Sequence, residues 1–139
     1  MKRIASAVIF LAFSNTDAPG ATGECAARDF DGSWKNIREE IKTLAALDIR
    51  GTCDTENPHG AIAIRALETC RPRKCTWGWV GGRIDAEGVL VANFQTFTAK
   101  RRIMVLKQGL RLRVLVETDY ISDQRESTRE SYILVRSAD

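Results

Sequence analysis

The stretch Leu110-Arg111-Leu112-Arg113-Val114-Leu115-Val116-Glu117-Thr118 decides the fold. Leu110, Leu112, Val114 and Val116 fall on one face and Arg111 and Arg113 on the other. Period two is the signature of a strand buried on one side only. Gln108-Gly109 separates this strand from Arg102 to Lys107, another short apolar run. Further upstream lies Val89 to Phe97, set off from Trp77 to Ile84 by the hairpin-type turn Asp85 to Gly88. In that segment Val89, Val91 and Asn93 alternate with Leu90, Ala92 and Phe94, which predicts cover on both faces. Ala61 to Leu67 and Leu47 to Arg50 flank the turn Asn57-Pro58-His59-Gly60, and Asp31-Gly32-Ser33 leads into Trp34. Tyr132 to Arg136 closes the chain, after a polar stretch from Asp119 to Glu130 that reads as the longest exposed loop.

Strands of this length joined by turn residues predict an all-β protein. The expected architecture is an eight-stranded antiparallel up-and-down barrel, because closure removes the exposed edges of a meander. One segment reads differently: Ile37, Ile41, Leu44 and Asp48 have helical spacing around Glu39-Glu40-Ile41-Lys42, allowing one short helix.

The 139 residues suffice for one domain. Lys2 and Arg3 precede an apolar run from Ile4 to Phe13, and small residues follow to Gly23. This is the layout of a secretory signal peptide over residues 1–23, with cleavage after Gly20 or Gly23. The run is about half of the roughly 20 residues that a membrane-crossing helix needs. The expected mature chain, 24–139, is a single barrel domain. Loss of Lys2, Arg3 and Asp17 takes the net charge from +3 to about +2, too mild to suggest nucleic acid. Glu24, directly before Cys25, does not fit a lipoprotein signal, so no stable membrane anchor is expected. The expected location is periplasmic or secreted and the expected state monomeric.

Four cysteines, Cys25, Cys53, Cys70 and Cys75, read as two disulfides in an oxidising compartment. Of the three pairings, Pro72 favours a tight Cys70–Cys75 loop, leaving Cys25–Cys53 to tie down the N-terminus. Zinc is the rival, but the spacing is not C-x-x-C and His59 is the one histidine.

Phe30-Asp31-Gly32-Ser33-Trp34-Lys35-Asn36 resembles the G-x-W opening of the calycins, the lipocalin and avidin type of barrel. That resemblance implies that Trp34 closes one barrel end, with Arg136 stacked on it. Trp34-x-Asn36, Cys70-Arg71-Pro72-Arg73-Lys74-Cys75-Thr76-Trp77-Gly78, Leu110-x-Leu112-x-Val114, Thr118 and Asp123 are together similar to a set of small secreted bacterial proteins with a C-x-P-x-x-C-x-W-G core. Here Thr76 stands where those proteins commonly have aspartate, and Glu68-Thr69 where they have an aromatic-glycine pair. This second resemblance implies a fold and a disulfide, and no activity.

Catalytic chemistry finds little support. A nucleophile usually needs a histidine base, and His59 sits in a turn. Asp119 and Asp123, the paired carboxylates, lie in the polar stretch. No enzyme activity, cofactor or metal is expected. Trp77 and Trp79 share strand parity and are expected to face one side, where they either fill a core or line a cavity. Arg71, Arg73 and Lys74 are expected at its rim, while Lys100-Arg101-Arg102 with Arg111 and Arg113 form either a cationic stripe or a mixed-charge face. The leading reading is a barrel holding a small amphipathic or apolar ligand. The alternative is a protein-interaction module, such as an inhibitor of an extracellular hydrolase or a host-facing factor, using the Cys70–Cys75 loop. A purely structural envelope role is a third.

Overall fold

A computed structural model describes residues 25–137 except 39, 41, 42, 54–59, 71, 72 and 123. The segment 1–23 expected as a signal peptide, and His59, Arg71, Pro72 and Asp123, therefore lie outside the described residues. The protein is all-β: a short helix α1 (Ala27–Phe30) precedes β1 (Gly32–Asn36), β2 (Leu44–Thr52), β3 (Ala61–Glu68), β4 (Cys75–Ile84), β5 (Leu90–Gln95), β6 (Ala99–Gln108), β7 (Arg111–Tyr120) and β8 (Thr128–Arg136). Each strand pairs antiparallel with the next and β8 pairs with β1, closing an eight-stranded barrel. No helix among the described residues is long and apolar enough to cross a membrane.

Alternation places the core. Leu112, Val114 and Val116 of β7 are buried while Arg111 and Arg113 are exposed. Leu90, Ala92 and Phe94 of β5 point inward, and Val91 is buried on the opposite face of the same strand. Leu47, Ile49, Ile62, Ile64, Ile103, Val105 and Leu134 complete the interior. Asp85 shapes the β4–β5 turn: its carboxylate accepts from the amides of Glu87 and Val89, both at 2.9 Å. This is the Asx geometry expected of such a turn.

Three expectations are corrected. Of the segment with helical spacing, residues 39, 41 and 42 lie outside the described residues, while Leu44 and Asp48 lie in β2, whose register shifts between Leu44 and Ala46. The bulge there disturbs strict alternation. Leu110 does not share the buried face, because it forms the β6–β7 turn with Gly109 (φ +63°). Finally, β7 and β8 extend well into the polar stretch, so their connection is only residues 121–127.

One end of the barrel is closed by the N-terminal segment. Trp34 is 1% exposed, and its indole Nε1 donates to the Phe30 carbonyl at 2.8 Å. The Arg136 guanidinium lies 4.4 Å from the ring centroid and donates to the Asp31 carbonyl at 2.8 Å. The Cys25–Cys53 disulfide fastens α1 to the end of β2. Gly51 is required for that contact, since a Cβ there would stand 2.1 Å from the Ala27 carbonyl oxygen. Trp34→Ala should lower stability by about 3–5 kcal/mol in urea unfolding, the range for a large buried side chain. A loss below about 1 kcal/mol would show that the plug carries no weight.

Candidate functional site

At the other end, four loops surround the mouth in barrel order: β1–β2, β3–β4, β5–β6 and β7–β8. The Cys70–Cys75 disulfide ties the β3–β4 loop. Arg73 and Lys74 are exposed on it, while Arg71 is outside the described residues.

The two tryptophans of β4 do not share a face. Arg65 pairs with Trp79 but Leu67 pairs with Thr76, so Trp77 and Gly78 together stand opposite Ala66. This is a β-bulge, and the extra residue reverses side-chain parity. Gly78 has φ +89°, a conformation glycine adopts without steric cost. Trp77 consequently packs against the core, while Trp79 is 40% exposed on the outer wall.

Outside, Ser33, Asp48, Arg65 and Trp79 form one cross-strand row over β1 to β4. Asp48 accepts from Ser33 Oγ at 2.9 Å and from Arg65 Nε at 3.0 Å, and the guanidinia of Arg50 and Arg65 stand 4.4 and 5.1 Å from the Trp79 ring centroid. Burial works against the Asp48 charge. Hydrogen bonds from Arg65 and Ser33, with the charges of Arg65 and Arg50, outweigh it and hold the carboxyl below its ordinary pKa.

Inside the mouth, polar groups plug the barrel. Trp77 Nε1 donates to Glu68 Oε2 at 3.2 Å, and its ring meets Phe94 edge-on with centroids 5.7 Å apart. Arg101 points inward, 4.6 Å from the Trp77 centroid, and donates to Thr96 Oγ1 at 3.0 Å. The Tyr132 hydroxyl donates to Glu130; burial first, then that bond and the Glu130 charge, push its pKa up, so it stays protonated. These groups leave a recess of about 50 Å³. Binding pockets for drug-sized ligands run to about 300–1,000 Å³.

With Arg101 turned inward, the cation cluster is split. Lys100 faces Asp119 across the strands, and Arg102 faces Glu117, which also accepts from Arg129 at 2.7 Å. A broad recess of about 710 Å³ over this outer face is lined by both signs of charge, including Lys100, Arg102, Glu117 and Asp119. Among the described residues no group of three or more candidate ligands could hold a metal ion.

The rim carries what sequence reasoning passed over. Strand β5 ends at Gln95, and Thr96 N bonds the Ala99 carbonyl at 2.9 Å, so Phe97 becomes a hairpin tip instead of a strand residue. Its side chain is fully exposed. Ile121 and Ile37 are 56% and 53% exposed on the β7–β8 and β1–β2 loops. A hairpin reading of Gln95 to Ala99 was the available signal, since Thr-Phe-Thr between two strands puts an aromatic at the turn.

The split between the tryptophans is measurable by acrylamide quenching. Trp79→Phe should remove most of the quenchable emission and Trp77→Phe should leave it. Equal losses would restore a shared face. Among known proteins, no family model, no curated protein and no solved structure matches the chain.

Proposed function

We propose that this is an exported, non-catalytic binding protein that works through the rim of its open end and carries no cargo inside. The single observation behind this reading is the contrast between a filled interior and bare loop tips. The recess inside the mouth is about 50 Å³, whereas Phe97 on the rim is fully exposed. Solvent-exposed anchors at the edge of a rigid scaffold are where contact residues concentrate. The reading belongs with the interaction-module alternative, and the Cys70–Cys75 loop supplies one quarter of the rim. A cross-linked loop loses little freedom on binding, which favours contact there. The calycin-like closure by Trp34 and Arg136 is then scaffold, and the two disulfides suit an oxidising compartment outside the cytoplasm.

Native mass spectrometry on protein gently recovered from the periplasm or medium tests this. The reading expects the bare chain with two disulfides closed. A small molecule retained in the native spectrum and lost on denaturation would overturn it in favour of a carrier.

A further inference from the structure

The rim's apolar tips are not gathered into one patch. Ile37, Phe97 and Ile121 belong to the β1–β2, β5–β6 and β7–β8 loops, so they occupy three quarters of a ring. Ile121 N bonds the Thr98 carbonyl at 3.0 Å, which sets two of the tips side by side over a cleft of about 350 Å³. At the edge of that cleft the Arg125 guanidinium lies 4.5 Å from the Tyr120 ring centroid. The remaining quarter is the disulfide loop, with exposed Arg73 and Lys74. A pocket on a folded partner would grip one anchor, whereas a plane meets all four loops at once. Among the described residues of these four loops, the cations Arg38, Arg73, Lys74 and Arg125 outnumber the carboxylates Glu40 and Glu126.

We infer that the rim docks reversibly on an anionic phospholipid surface, Phe97, Ile121 and Ile37 entering the headgroup layer while the Cys70–Cys75 loop meets lipid phosphates. Apolar tips partition into the acyl boundary, and nearby cations add attraction to anionic headgroups. Because that attraction acts between solvated charges, salt weakens it. The inference rests on the rim-binding reading and names its partner. It requires no transmembrane segment, and the barrel stays whole because the tips lie outside the packed interior.

The test is co-sedimentation of the purified protein with vesicles of phosphatidylcholine, with and without phosphatidylglycerol. The protein should sediment with the phosphatidylglycerol vesicles, and less at high salt. Phe97→Ser should lower the partition about ten-fold or more, the loss expected for one exposed aromatic anchor. Arg73→Glu should weaken binding to the anionic vesicles without affecting the neutral ones, and far-ultraviolet circular dichroism should show both variants folded. Absence of sedimentation, or sedimentation that Phe97→Ser leaves unchanged, would overturn the inference. A rim that grips a protein gives that negative result while the native mass spectrum still shows a bare chain, so the two readings fail separately.

Discussion

Trp34 sits where the first and last strands meet, and the barrel depends on what it does there. Strand β1 has five residues, yet it hydrogen-bonds to β2 on one side and β8 on the other. Were it to leave, β2 and β8 would present open edges. The short strand is held by packing as well as by its ladder. The indole fills the barrel end and bonds Phe30, while Arg136, Trp34's partner across the β1–β8 pairing, covers it and bonds Asp31. Gly32 belongs to the same unit: a Cβ there would meet Arg136 Nη1 at 2.7 Å, in a backbone at φ +131°. A glycine, a tryptophan two residues later and an arginine at the chain's far end thus form one interlocking closure.

Closure at that end determines what remains for function. An eight-stranded barrel has an interior about wide enough for side chains to fill. Leucines and isoleucines occupy the middle, and at the mouth the space passes to Trp77, Arg101, Glu68 and Tyr132. The bulge at Gly78 contributes by sending one tryptophan inward as part of this plug and the other outward to the Arg50 and Arg65 guanidinia. With the interior occupied, the outer surface is what stands open, and the loop tip at Phe97 is its barest apolar point.

Much of the architecture was legible because strand period is a local property. Alternation in β7 and β5, the Asp85 turn and the Gly109 turn each follow from a few neighbouring residues. The disulfide partners were readable from Pro72 and cysteine spacing, and they join as Cys25–Cys53 and Cys70–Cys75. What escaped was set by pairing between distant strands. The parity of Trp77 and Trp79 depends on the register against β3, for which Gly78 between them is a local sign of a bend but does not set the pairing. Arg101 reads as one cation in a run of three, and only its position on β6 turns it toward Trp77. Asp119 and Tyr120 look like loop, but their pairing with Lys100 and Ala99 keeps them in the sheet, and Thr128 to Glu130 are kept there by pairing with Val116 to Thr118. Leu44 and Asp48 fit a helical spacing in the sequence, and at those two positions the β2 ladder overrides it.

The central claim is that the barrel is closed through β1 and β8 and locked by Trp34 and Arg136. Native-state amide hydrogen exchange measures this most directly. The account predicts that β1–β8 ladder amides, such as those of Lys35 and Val135, exchange only through global unfolding, like those of β6 and β7. Exchange at β1 and β8 through a much lower-energy local opening, while β6 and β7 stay protected, would show an open sheet and contradict it.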